Sequence, residues 1–435
     1  MTASNPPSSS TTSADRRVFL QATAVVGSTL FAAPAVHAGG SDELKVGLIG
    51  CGGRGSGAAV NAVRAGPGIK LWAMGDMFSD RLESHRQSLM KEIGDRMDVP
   101  NSRCFVGFDA YKQVIAADVD VVVLATPPGF RPLHLEAAVE AGMHVFCEKP
   151  VAVDGPGVRR VMETAKKAKQ KGLSLVSGFC WRYDLGMQET MKRLADGAIG
   201  SITAMQCSYN TGMLWMNKRQ PQWSDMEWQL RNWLYFTWLS GDHNVEQHIH
   251  SLDKMAWAMG DQYPVKAVGL GGRQARTSPD YGHIFDHHAV VYEFANGVRC
   301  FSYCRQQAAC ANDITDHYFG TKGTAMTHGA NGTAWIKGES PWQYNLAMAR
   351  KAIDKYQFEH NVLFKSIREK SAHNDGEWMA KSTLMGIMGR MATYTGQAIT
   401  WEMAMNSKED LTPAKMEMGS MPVAPVAIPG QTKFM

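Results

Sequence analysis

Two stretches of this sequence carry side chains spaced for chemistry. The first is Gly241-Asp242-His243-Asn244-Val245-Glu246-Gln247-His248-Ile249-His250-Ser251-Leu252-Asp253. Written as a helix, Glu246, His250 and Asp253 fall one turn after another on a single face. A carboxylate beside a histidine orients the ring and raises its basicity, which a general base requires. A metal-binding set of His243, Glu246, His248 and His250 has neither His-Glu-x-x-His nor His-x-x-Glu-His spacing, so no metal is expected.

The second stretch is Gly50-Cys51-Gly52-Gly53-Arg54-Gly55, a Gly-x-Gly-x-x-Gly turn between an apolar strand, Leu44 to Ile49, and the start of a helix. In such a turn the glycines serve a tight bend, room for a pyrophosphate and close helix–strand packing, and the helix N-terminus offers its free N–H groups to phosphate. A second strand, Ile69 to Met74, runs into Gly75-Asp76, with Asp76 lying 21 residues after Gly55. An acidic residue there accepts hydrogen bonds from ribose hydroxyls and favours NAD over NADP. Arg81, five residues on, moderates that preference.

The elements that must position these groups alternate. Val119 to Ala125 reads as a strand buried on both faces and ends in Thr126-Pro127-Pro128 at the sheet's carboxyl edge. His134 to Ala141 is helical in period, and His144-Val145-Phe146 forms a strand leading into Cys147-Glu148-Lys149-Pro150. Alternation of this kind predicts a doubly wound parallel sheet over residues 44–150. Its expected cofactor contacts are Gly50, Gly52, Gly53, Arg54, Gly55, Asp76, Thr126, Pro127, Glu148 and Lys149.

The Gly-rich turn, Ala125-Thr126-Pro127-Pro128 and Glu148-Lys149-Pro150 together resemble the glucose–fructose oxidoreductase/inositol dehydrogenase (Gfo/Idh/MocA) family. The resemblance implies an α/β Rossmann doubly wound parallel sheet followed by an α+β domain with a largely antiparallel open sheet. It also implies that Lys149 lies beside nicotinamide and substrate, that His250 accepts the hydroxyl proton, and that Arg182 and Tyr183 stand near the substrate. A lysine so placed hydrogen-bonds the reacting hydroxyl and stabilises developing alkoxide. Family members usually carry Asp-x-x-x-His-x-x-Asp on the catalytic helix. Here His250 and Asp253 match, Glu246 replaces the first Asp, and His248 stands where a small residue is common.

From Ser201 onward the pattern changes to hairpin-linked strands, with Asn296-Gly297 as the strongest turn signal. Residues 151–412 are therefore expected to form the substrate and oligomerisation domain, and residues 413–435, with Pro422, Pro425 and Pro429, an extended tail. Five tryptophans fall at 215, 223, 228, 233 and 238. They suit either sugar-stacking platforms or core and oligomer contacts. Arg231, Asn232, Trp233 and His248 join Arg182 and Tyr183 as candidate substrate contacts. Cys300 and Cys304 share a strand face with Ser302 between them and read as buried small residues.

Residues 1–38 read as a signal peptide: Arg16-Arg17 precedes a moderately apolar stretch, and Val36-His37-Ala38 offers small residues for cleavage. Export by the twin-arginine route to the periplasm or beyond is the expectation. The 435 residues carry 45 Lys and Arg against 41 Asp and Glu, a net +4 with no basic stripe, which argues against nucleic acid. No apolar run is long enough for stable membrane insertion. Together these features predict an exported oxidoreductase with tightly held NAD, acting on a sugar, cyclitol or glycoside hydroxyl. Two alternatives stand beside it: a redox-neutral NAD-dependent glycoside hydrolase, and a non-catalytic NAD-binding sensor. The expected partners are a carbohydrate substrate and further copies of the chain, joined through the second-domain sheet.

Overall fold

The computed structural model describes residues 43–435, so the expected signal peptide lies outside the described residues. Six parallel strands form the first sheet: β1 (Leu44–Ile49), β2 (Ile69–Asp76), β3 (Cys104–Val106), β4 (Val121–Leu124), β5 (His144–Cys147) and β6 (Leu175–Ser177). Their order is β3-β2-β1-β4-β5-β6. All four residues of β4 are buried, as a central parallel strand requires. The order reverses between β1 and β4, and that switch point opens a crevice at the carboxyl ends of the strands. The sheet runs past Pro150, since its sixth strand begins at Leu175.

The second sheet has nine strands: β7 (Ile202–Thr211), β8 (Lys266–Gly272), β9 (His287–Glu293), β10 (Arg299–Gln306), β11 (Thr315–Gly320), β12 (Gly323–His328), β13 (Ala334–Gly338), β14 (Trp342–Tyr344) and β15 (Ile399–Thr400). Their order is β14-β13-β12-β11-β7-β10-β9-β8-β15, and only the β7–β10 pair is parallel. Asn296-Gly297 makes the hairpin between β9 and β10, with Gly297 at φ 84°. Along β10, Cys300, Ser302 and Cys304 face inward while Phe301 and Tyr303 stay exposed. The inner face packs on the helices Ile249–Ala258 and Gly376–Thr395, where the Tyr292 hydroxyl donates to the Met385 carbonyl at 3.1 Å.

The C-terminal third returns to the first sheet. Leu363 and Phe364 of the helix Lys355–Arg368 pack with β1, β2 and β4. Beyond Asn406 the chain has no regular elements and lies along its own surface: the Met226 N–H donates to the Gly419 carbonyl, and Gln229 Nε2 donates to the Met421 carbonyl at 2.7 Å. Among the described residues no helix is long and apolar enough to cross a membrane.

Candidate active site

The carboxyl ends of β1, β2, β4 and β5 open into a cavity of about 620 Å³. Gly50 takes φ +97°, and a Cβ there would meet the backbone of Ala125 and Thr126 at 2.6 Å. A Cβ on Gly55 would reach the Gly50 carbonyl oxygen at 1.9 Å, so this glycine lets the helix Gly53–Arg64 close onto the turn. Gly52 and Gly53 face open space. The result is a cradle whose helix N-terminus is free to receive phosphate, which fits a dinucleotide.

Asp76 ends β2 at the rim and braces this cradle. Its Oδ2 accepts the Cys51 N–H at 2.7 Å and its Oδ1 accepts the Phe78 N–H at 3.0 Å. Each oxygen keeps lone-pair capacity for a ribose hydroxyl. Thr126 and Pro127 form the opposite lip, where Thr126 Oγ1 meets His134 Nδ1 at 3.3 Å. His134 is stacked between Tyr111 and Phe130, and burial pushes its pKa down to about 3.

Arg54 lines the cavity, but its guanidinium is already engaged. Its Nε lies 2.7 Å from Glu148 Oε1, its Nη2 3.9 Å from Glu359 Oε1, and its plane 4.4 Å above the Tyr356 ring. Arg54 thus ties the Gly-rich turn to Glu148 at the end of β5. The neighbouring Lys149 reaches across to the second domain: its Nζ donates to the Glu246 carbonyl at 2.7 Å and to Glu246 Oε1 at 3.0 Å. Two of the three ammonium protons are used, leaving one for a ligand.

The segment predicted as one helix is broken. His243–Glu246 is a single helical turn, Gln247 and His248 form a turn, and a new helix runs from Ile249 to Ala258. Asp242, which starts the segment at φ 77°, accepts from the His243 and Phe285 N–H groups and from the Tyr394 hydroxyl, and these bonds pin the turn. The expected common face of three catalytic groups is therefore absent. Glu246 pairs with Lys149, while Asp253 is buried and takes a two-point ion pair from Arg182 at 2.8 and 2.9 Å and a bond from Ser382. His250 lines the cavity, edge-on to Phe179, and its ring nitrogens have no hydrogen-bond partner among the described residues. Burial first, then the charges of Lys149, Lys254 and Lys355, hold its pKa well below the usual histidine value. A neutral imidazole with a free nitrogen is the form that accepts a proton.

Of the expected substrate contacts, Arg231 and Trp233 line the cavity. Arg182, Tyr183, Asn232 and His248 lie elsewhere. Arg182 is spent on Asp253 and Asp261, and the buried Tyr183 hydroxyl donates to Asp375. Asn232 is fully buried, accepting the Asn217 N–H and donating to the Asp280 carbonyl. His248 is a core histidine bonded to Ser302 Oγ at 2.6 Å. The four residues weighed as a metal set do not converge: His243 faces Asp242 and His288, while Glu246, His248 and His250 each go elsewhere. The tryptophans divide as well, with Trp215 and Trp233 on the cavity and Trp228 and Trp238 in the core. Sequence reasoning missed Arg131, Asn217 and Tyr356. An arginine interrupting an apolar stretch was a usable signal for Arg131, whereas Tyr356 arrives from some 200 residues beyond Lys149 and had none.

A phosphate cradle at the switch point of a parallel sheet, facing a histidine and a lysine from the domain boundary, defines a dinucleotide-binding Rossmann protein with a second, mostly antiparallel domain. Residues 44–177 match the family model described as "Oxidoreductase family, NAD-binding Rossmann fold". The chain is 28% identical to inositol 2-dehydrogenase 4 of Saccharopolyspora erythraea over 59% of its own length and 65% of that protein. It is 30% identical to 2,7-anhydro-N-acetylneuraminate hydratase of Escherichia coli over 41% of this chain and 44% of that protein. These matches span less than two thirds of the relatives' lengths. Among solved structures, aldose-aldose oxidoreductase from Caulobacter crescentus superposes with a TM-score of 0.65 at 17% identity, over 82% of this chain and 99% of its own. Myo-inositol 2-dehydrogenase from Lactobacillus plantarum gives a TM-score of 0.63 at 21% identity, over 82% and 99%. At these identities the superpositions speak for the fold.

Proposed function

We propose that the protein is an NAD-dependent oxidoreductase acting on a hydroxyl of a sugar, cyclitol or glycoside. One observation carries this reading: the Gly-rich cradle with Asp76 opens into the same cavity as His250 and the Lys149–Glu246 pair. The cofactor, when bound, supplies the hydride acceptor for carbinol oxidation. Gly52 and Gly53 leave room for its pyrophosphate, and Asp76 receives its ribose hydroxyls. His250 takes the substrate hydroxyl proton on its free ring nitrogen. Lys149, oriented by Glu246, donates its remaining N–H to the same oxygen and stabilises the developing alkoxide. Trp215 and Trp233, with centroids 5.9 Å apart, offer apolar faces to the substrate's C–H edges.

Export shapes the rest of the reading. The Arg16-Arg17 leader suits the twin-arginine route, which carries folded proteins with their cofactors. Outside the cytoplasm no NAD pool regenerates a free cofactor, so the enzyme holds it and returns it to its starting state each turnover. A sugar-to-sugar oxidoreductase does this. So does a redox-neutral glycosidase, in which oxidation at C3 acidifies the C2 hydrogen, elimination expels the aglycone, and water addition with re-reduction closes the cycle. The similarity to a hydratase favours keeping this second reading. Homo-oligomerisation through the second sheet is supported by Val268, Leu270, Phe301, Tyr303 and Phe319, apolar and exposed on its outer face.

The test is incubation of purified holo-protein, without added NAD, with a panel of aryl glycosides, following phenol, sugar and bound-cofactor absorbance together. Repeated phenol release without net reduction identifies the glycosidase. One cofactor turnover reversed only by an added keto-sugar identifies the oxidoreductase. No turnover with either leaves a non-catalytic NAD-binding protein.

A further inference from the structure

Arg131 is a buried cation without a carboxylate. It stands at the start of the helix Arg131–Glu140, is 5% exposed, and lines the cavity beside Lys149, Glu246 and His250. Its Nη1 donates to the Pro150 carbonyl, next to Lys149, and its Nε is buried with no hydrogen-bond partner. No Asp or Glu approaches within ion-pair distance among the described residues, in contrast to Arg54 on Glu148, Lys149 on Glu246 and Arg182 on Asp253. Of the three cations that line the cavity here, Arg54 lies between Glu148 and Glu359 and Lys149 pairs with Glu246, whereas Arg131 has no carboxylate of its own. Burial pulls the Arg131 pKa down, and the nearby carboxylates only partly offset this.

A buried, uncompensated charge is costly unless something in the working complex neutralises it. A planar guanidinium with unused N–H groups is matched to a planar oxyanion, to which it donates two parallel bonds. The phosphate cradle is formed by the backbone of the Gly50–Gly55 turn, whereas Arg131 belongs to another element and is anchored to the Pro150 carbonyl, next to Lys149. We infer that Arg131 is an anion-recognition residue and that the substrate is an acidic sugar, its carboxylate received by the Arg131 guanidinium. This deepens the oxidoreductase reading and rests on it. The oxygen set of a carboxylate is shared by the cofactor's own phosphates, so the experiment separates the two sources.

The probes are a matched pair, methyl glucuronide and methyl glucoside, titrated into wild-type holo-protein and into the Arg131→Met and Arg131→Lys variants. Bound-cofactor fluorescence reports sugar binding, and a separate dilution assay reports cofactor retention. Wild type is expected to bind the uronide at least tenfold more tightly than the neutral glycoside. R131M abolishes that preference with cofactor retention unchanged, and R131K keeps part of it. Equal binding of the two glycosides by wild type overturns the inference, and this comparison stands even where a variant fails to fold. A preference that survives in R131M overturns it too. Loss of NAD by R131M, without acid preference in wild type, assigns the guanidinium to the cofactor's phosphate instead. Turnover of the neutral glycoside alone defeats the acidic-sugar inference and leaves the oxidoreductase reading standing. If neither glycoside binds, the inference fails, and the aryl glycoside panel decides the parent reading separately.

Discussion

Lys149 makes two hydrogen bonds to a single residue, one to the main-chain carbonyl of Glu246 and one to its side chain. The main-chain bond does not depend on the identity of residue 246, so most of the placement of the ammonium survives a change there. Glu246→Gln keeps an oxygen acceptor and is expected to lower kcat by no more than about tenfold, a loss of about 1.4 kcal/mol. Lys149→Met removes the donor itself and is expected to lower kcat by about 10²–10³ while NAD stays bound. Single-turnover kinetics with a cofactor-retention assay check both. A K149M protein that turns over normally would remove lysine from the chemistry.

His250 governs the acid side of the rate profile. The neutral ring is the base, so activity falls as pH drops through the pKa of the folded protein. Burial and three lysines hold that pKa well below 6.5, so no limb is expected near 6.5 and kcat stays level until the solution is more acid. His250→Ala is expected to lose about 10²–10⁴ in kcat and to retain NAD. A pH–rate profile alongside an NMR titration of His250 makes the check, and a limb at or above 6.5 counts against the assignment.

The first sheet was legible because its signals are local. Gly50 to Gly55 is a contiguous motif, and the run of valines in β4 is what burial on both faces demands. The catalytic segment was only half legible. Spacing placed Glu246, His250 and Asp253 on one face, but periodicity carries no information about the break between Glu246 and Ile249, or about the tertiary bonds that hold Asp242 at the start of the segment. Polar residues in apolar surroundings misled for a related reason. Arg182, Tyr183, Asn232 and His248 are each engaged by a partner from elsewhere in the chain, and such partners are invisible to local reading.

Asp76 is expected to set both cofactor choice and loop geometry. Its carboxylate at the adenosine end repels a 2′-phosphate, so NAD should outcompete NADP by at least about tenfold. Asp76→Ala also strips the acceptor from the Cys51 and Phe78 N–H groups, leaving two buried donors unpaired at about 1–3 kcal/mol each. Weaker NAD binding and a lowered Tm should therefore appear together. Competition between the two cofactors, with thermal melts of the cofactor-free protein, tests this. Retained NAD affinity in D76A would remove the ribose role.

The C-terminal tail is expected to slow cofactor release, because it holds down one wall of the cavity. Asp225 Oδ2 accepts from Ser420 Oγ and the Met421 N–H, and Gln229 is tied to the Met421 carbonyl, so the helix Asp225–Arg231 is strapped at both ends. Leu411, Met416 and Met421 pack against the same aromatic cluster as Phe78 and Trp228. Arg231 then crosses to the first domain, 3.9 Å above the Phe78 ring and paired with Asp80. Asp80 is largely exposed, so that pair alone is worth under about 1 kcal/mol, and Asp80→Asn should speed NAD release by less than about fivefold. Removing residues 413–435 strips the strap together with the half-buried Met416 and Met421. Release should accelerate well beyond the D80N effect, and Tm should fall by several degrees. Dilution of NAD-loaded protein into an NAD trap reads the rate directly. A truncated protein that melts lower but releases NAD at the wild-type rate would confine the tail to a stabilising role.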